Sequence, residues 1–142
     1  MFDIDPVTSP LETDCGPTCM KMLLGYYGQD VTLDDMIKEC NTGISGCSGK
    51  DMLRVGRAHG LDMHAYKMDA EELVKQNAPA IVWWKYNHWV VFSGRDDEGK
   101  VVICNPDLGR YRMSVNTFKS MYTEVSIFGE EPRDMDEDAE EA

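Results

Sequence analysis

At 142 residues, with no apolar stretch approaching the roughly 18 residues of a membrane span, the chain fits one domain with an ordinary core. A net charge of −12 excludes the clustered Lys and Arg of a phosphate-binding surface, so nucleic acid is not an expected partner. Five cysteines, odd in number and irregularly spaced, point to reduced thiols, and residues 1–5 lack the marks of a signal peptide; both suit the cytoplasm.

Residues 1–10 contain Pro6 and Pro10 and are expected to form an extended lead-in to a domain over 11–129. An apolar run at helical spacing, Cys19, Met22, Leu23 and Tyr26, predicts a helix opening near Cys15 and stopped by Gly28. Gly16 suits the last loop residue and Pro17 the first helical turn, where a missing N–H costs nothing. Thr32 with Asp35, and Ser48 with Asp51, read as the caps of two further helices, ending near Cys40 and Gly60. Residues 61–68 read as a strand and 69–76 as a brief helix. From Pro79 the period changes. Residues 80–84, the stretch from His88, and 100–104 are rich enough in β-branched and aromatic residues to be strands, with a turn at 96–99. Strands at 110–113 and 124–128 flank a short helix at 116–121. Helices followed by an antiparallel sheet make an α+β fold.

From Glu130 onward eight acids face Arg133 alone, so residues 130–142 are expected to be a disordered acidic tail that aids solubility or docks on a basic partner in an assembly. Cys40, Cys47, His59 and His64 are metal-ligand types, but without a Cys-x-x-Cys pair no metal is expected. Cys19 and Cys104 read as small buried hydrophobes, and His59 and His64 as structural.

One constellation is chemical. Cys15 lies in Asp14-Cys15-Gly16-Pro17 at a helix start, where the helix partial charge and a neighbouring imidazolium both favour a thiolate. His88 lies in Asn87-His88-Trp89-Val90-Val91 and opens a strand, a rigid platform for a base. Asn105 closes the strand Val101-Val102-Ile103-Cys104-Asn105 and can accept from an imidazole N–H. Alternation sends Trp83 and Trp84 to opposite faces, so that one of them is placed to line a cleft. The glycine-rich segment 41–46 has the composition of a loop bordering it.

These segments resemble the bacteriocin-leader peptidases, which cut after double-glycine sites and are often fused to export transporters. A helix-opening Asp-Cys-Gly, a His followed by an aromatic and two β-branched residues, and an Asp-Pro near a later Gly, which stands here as Asn105-Pro106 and Gly109, carry the resemblance from Leu11 to Phe128. Gly46-Cys47-Ser48-Gly49-Lys50-Asp51 and Arg57-Ala58-His59-Gly60 also look like that family's second helical stretch. The resemblance implies a papain-like fold with N-terminal helices packed on a C-terminal antiparallel sheet. It implies Cys15 as nucleophile, His88 as general base and then acid, Asn105 as orienter, a peptide substrate with small residues at the cut, and no cofactor.

Two departures stand out. Asn105 replaces the family's more frequent Asp. The Gln that normally completes the oxyanion hole is missing: Ser9 stands about six residues before the Cys, and Ser9, Thr13 and Asn87 are the candidate donors. Losing one such donor costs on the order of 10²–10³ in turnover if nothing replaces it. The expected activity is therefore that of a cysteine peptidase or related acyl-transfer hydrolase. The alternative is a decayed peptidase-like binding module, or a structural component of a larger assembly such as a phage particle.

Overall fold

The computed structural model describes residues 1–43 and 46–132. The segment predicted as an acidic tail lies outside the described residues beyond Pro132. Elements run in the order α1 (Cys15–Tyr26), α2 (Leu33–Glu39), α3 (Gly49–Ala58), β1 (His64–Lys67), α4 (Ala70–Leu73), β2 (Ala80–Trp84), β3 (His88–Arg95), β4 (Val101–Asn105), β5 (Gly109–Met113), α5 (Val115–Met121) and β6 (Tyr122–Phe128). The caps form as the sequence predicts: Thr32 and Ser48 side chains accept from the backbone N–H groups of Asp35 and Asp51. The six strands form one antiparallel sheet in the order β1-β6-β2-β3-β4-β5.

Strand alternation sorts the core into two layers. Ile81, Trp89, Val91, Cys104 and Ile127 face the helices α1 to α3, joining Cys19, Met20, Leu23 and Leu24 of α1. Their neighbours Ala80, Val82, Val90, Phe92, Ile103 and Phe128 face the opposite way, where Leu73 of α4 and Phe118 of α5 cover them. The central strands β2, β3 and β4 are thus buried on both faces. That is why β2, β3 and β4 read as nearly continuous apolar runs rather than as alternating ones.

The lead-in has no regular secondary structure but is tied along the sheet. The Phe2 N–H donates to the Ser93 carbonyl (2.8 Å), and the Ser93 hydroxyl donates back to the Phe2 carbonyl (2.8 Å). Gly94, at φ +86°, makes room there, since a Cβ would come within 3.2 Å of Met1 Cα and the Phe2 ring. Ile4 is fully buried in the α1 layer, Arg110 donates to its carbonyl, and the Ser9 N–H donates to the Pro106 carbonyl (2.9 Å).

Anchoring of this kind has a measurable consequence. Ile4→Ala should lower unfolding stability by about 2–4 kcal/mol in chemical denaturation, as for other fully buried aliphatic truncations. A change near zero would mean that the lead-in contributes nothing to the folded domain.

Candidate active site

A 3-10 turn, Glu12–Asp14, delivers the chain into α1, and Cys15 is the first residue of the helix. Contrary to the sequence reading, Gly16 lies inside α1 rather than ending the loop. Its lack of a side chain has a packing reason: a Cβ there would sit 2.8 Å from Cys47 Cβ. Cys47 is held in turn by Trp89 of β3, whose indole N–H donates to its carbonyl (3.3 Å). The helix start, the segment leading into α3 and the start of β3 are therefore locked together.

His88 is the first residue of β3 and Asn105 the last of β4, so both stand at one end of the sheet. The β3–β4 register, with Val91 opposite Cys104, sets Asn105 one step on, opposite Val90 and on the same parity as His88. The connection from β2 to β3 takes Tyr86 and Asn87 to positive φ, 69° and 57°, a conformation that costs a non-glycine residue about 1–2 kcal/mol. Tyr86 is left 89% exposed beside the site.

Polar contacts at this corner form a directed chain. The Asp107 backbone N–H, which can only donate, lies 2.9 Å from Asn105 Oδ1. That fixes which end of the amide is oxygen, and Asn105 Nδ2 donates at the other end to the Tyr111 hydroxyl (3.0 Å). His88 Nε2, 2.8 Å from the same Oδ1, must therefore carry a proton. Nδ1 of the neutral ring is then the acceptor. Pairing with the Cys15 side chain is the largest influence raising the His88 pKa above its ordinary value near 6.5; burial opposes it, and Asn105 and Asp107 add to the rise.

The other four cysteines are buried. Burial pushes the Cys19 and Cys104 thiols up, and pairing with Cys40 together with burial pushes up Cys47. The Cys40 thiol, lowered by its bond to Cys47, is fully buried. His59, expected to be structural, bonds Glu39 (2.8 Å) and Gln29 (3.2 Å). Among the described residues no three His, Cys, Asp or Glu side chains converge as a metal site would require.

Cys15 opens on a cavity of about 760 Å³ whose walls include Thr13, Gly46, Cys47, Trp83, Tyr86, Asn87 and Trp89. A smaller one of about 310 Å³ reaches His88, Asn105 and Asp107 and shares Glu12, Tyr86 and Asn87 with the first. Trp83 lines the larger cavity, its ring 4.3 Å from that of Trp89, while Trp84 packs near Phe118 and lines the smaller one. Of the predicted oxyanion donors, Thr13 and Asn87 line the cavity beside Cys15. Ser9 does not; it is buried, and its hydroxyl accepts from the Leu11 N–H (3.4 Å). Sequence reasoning missed Asp107 and Tyr111, although both lie within six residues of Asn105, because a turn residue and a strand tyrosine carry no chemical mark by themselves.

The Peptidase C39 family model matches residues 5–134. The chain belongs to the Peptidase C39 family. Solved C39 structures share its fold. Against a double glycine motif protease from an AMS/PCAT transporter, crystallised with the leader peptide, the TM-score is 0.85 at 24% identity, covering 92% of this chain and 94% of that one. Against the peptidase domain of Streptococcus ComA, a bifunctional ABC transporter of a quorum-sensing pathway, it is 0.79 at 19% identity, covering 89% and 98%. The fold is thus the papain-like one expected of the family. The lacticin-481/lactococcin-DR transport/processing ATP-binding protein of Lactococcus lactis subsp. lactis is 26% identical over 79% of this chain, which spans only 17% of that protein's length. A protein of Methanothermobacter thermautotrophicus is 27% identical, with 84% of each chain covered. No helix among the described residues is long and apolar enough to cross a membrane.

The chain of contacts makes a prediction about His88 that requires no substrate. In an NMR titration its ring should stay protonated above the usual value near 6.5, because both the thiol pairing and the Asn105 contact favour the imidazolium. Removing the thiol with Cys15→Ala should move the midpoint to lower pH. A midpoint indifferent to that substitution would show that the two side chains do not interact.

Proposed function

We propose that this domain is a cysteine peptidase in which Cys15 is the nucleophile, His88 the base and then the acid, and Asn105 the orienting group. The observation that supports this is the fixed Asn105 amide, which leaves the unprotonated ring nitrogen of His88 for the thiol that raises its pKa. In the proposed reaction the Cys15 proton passes to His88 and the sulfur attacks the peptide carbonyl carbon. The imidazolium then gives its proton to the departing amine, leaving a thioester. His88 next takes a proton from water, whose oxygen attacks the thioester, and the collapse of that intermediate returns the thiol and releases a carboxylate.

The Cys15 backbone N–H is the first oxyanion donor in this reading. The second is the Thr13 hydroxyl or the Asn87 amide, neither of which has another hydrogen-bond partner among the described residues. The proposed substrate is a peptide with small residues at the cut. Its support is the likeness to a double glycine motif protease crystallised with a leader peptide. A cytoplasmic setting suits five free cysteines, which an oxidising compartment would not preserve.

Incubation with double-glycine peptides and scrambled controls, followed by mass spectrometry, should show cleavage after the glycines, while a one-dalton gain would reveal deamidation instead. His88→Ala should lower turnover by about 10³-fold or more, and Cys15→Ala should abolish it. Loss of the second oxyanion donor should cost about 10²–10³ in kcat, which assigns it to Thr13 (Thr13→Val) or Asn87 (Asn87→Ala). Brief iodoacetamide treatment near pH 6 should label Cys15 first and be slowed by His88→Ala. Even labelling across the cysteines, with no peptide cut, would leave the binding-module reading in its place.

A further inference from the structure

The orienting group of the site is a neutral amide, yet a carboxylate stands next to it. Asp107 Oδ2 lies 3.5 Å from His88 Nε2, and the backbone N–H of the same residue holds Asn105 Oδ1 at 2.9 Å. One turn residue therefore grips the orienting amide through its main chain while its side chain faces the imidazole. We propose that Asp107 is a second positioning residue of the site, supplying the negative charge that Asn105 lacks, so that orientation and charge are divided between two residues. The proposal rests on the roles given above to Cys15, His88 and Asn105.

Geometry explains the division. Asn105 is 5% exposed, and three of the four hydrogen-bonding positions of its amide are taken by His88, the Asp107 N–H and the Tyr111 hydroxyl. A carboxylate in that place would need the same donors and would have to be held ionised in a buried position. The Asp107 side chain is 45% exposed, against 18% for His88, so it keeps part of its hydration while remaining at contact distance from the ring edge. Its charge favours the imidazolium, in the same direction as the thiol and the Asn105 contact. The other charged groups near the ring are Glu12, from the 3-10 turn, and Lys85, from the β2–β3 connection, both lining the same cavity. They carry opposite signs, and the charges that raise the His88 pKa are those of Cys15 and Asp107.

Asp107→Asn tests this cleanly, because it keeps the backbone N–H that fixes Asn105 and removes only the charge. The His88 midpoint in an NMR titration should fall, and the alkaline limb of kcat/KM should move to lower pH. On that limb the rate at a fixed pH should drop roughly threefold or more. Moving the charge back into direct contact, in the double variant Asn105→Asp with Asp107→Asn, should restore the midpoint. High salt, which screens a partly buried contact pair only in part, should lower the wild-type midpoint by less than Asp107→Asn does and add little to the variant; the wild-type arm holds even if the variant folds poorly. A midpoint and alkaline limb unmoved by both Asp107→Asn and salt would overturn the proposal. If the midpoint moves but wild-type protein cuts no peptide, the peptidase reading fails while the role of Asp107 at His88 stands.

Discussion

Everything at the site depends on where the N-terminus of α1 comes to rest. The helix is buried along most of its length by Cys19, Met20, Met22, Leu23 and Leu24, so its axial position against the sheet is set by packing rather than by the site itself. The contact between Gly16 and Cys47, and the hydrogen bond from Trp89 to the Cys47 carbonyl, then lock its first turn to the start of β3. The two contacts act in series, Trp89 holding Cys47 and Cys47 meeting the residue after Cys15. The doubly covered central strands supply the rigid counterpart, presenting His88 and Asn105 from strand ends whose registers are fixed by neighbours on both sides.

The polar part of the site is economical in charge. An amide oxygen shared between a backbone donor and an imidazole donor has no freedom to flip, so it defines the tautomer of His88 without burying a net charge. The nearest carboxylate stays at the rim, where water retains part of its solvation. This distribution avoids the desolvation penalty of a buried ion while keeping a field that favours imidazolium. The cleft walls are of a different character: Trp83 and Trp89 form an aromatic face, and Tyr86 is displayed in a strained conformation at the junction of the two cavities. Strain of that kind persists only where the surroundings over-determine it, here by a three-residue connection between strands that pair up to Trp84 and His88.

Much of this was legible in the chain itself. The caps at Thr32 and Ser48, the change of period after Pro79, and the opposite facing of Trp83 and Trp84 are local consequences of side-chain chemistry and backbone periodicity, and the elements formed where those signals lay. The Cys15, His88 and Asn105 segments could be singled out because each sits at an element boundary that the sequence marks. The role of Gly16 was misjudged for a physical reason: the demand on it comes from Cys47, thirty-one residues away, and no local pattern records a distant close approach. The lead-in likewise looked like mere extension, because two prolines speak only of backbone angles, while burial of Ile4 depends on a cleft built by other elements. By itself, then, the sequence determined the elements, their order and the residue types able to do thiol chemistry, since these follow from interactions within a few residues. Only the tertiary structure decided that Thr13 and Asn87 rather than Ser9 line the cavity beside Cys15, and that Asp107 and Tyr111 join Asn105, because those contacts are made across strand ends and turns whose meeting is set by the packing of the whole domain.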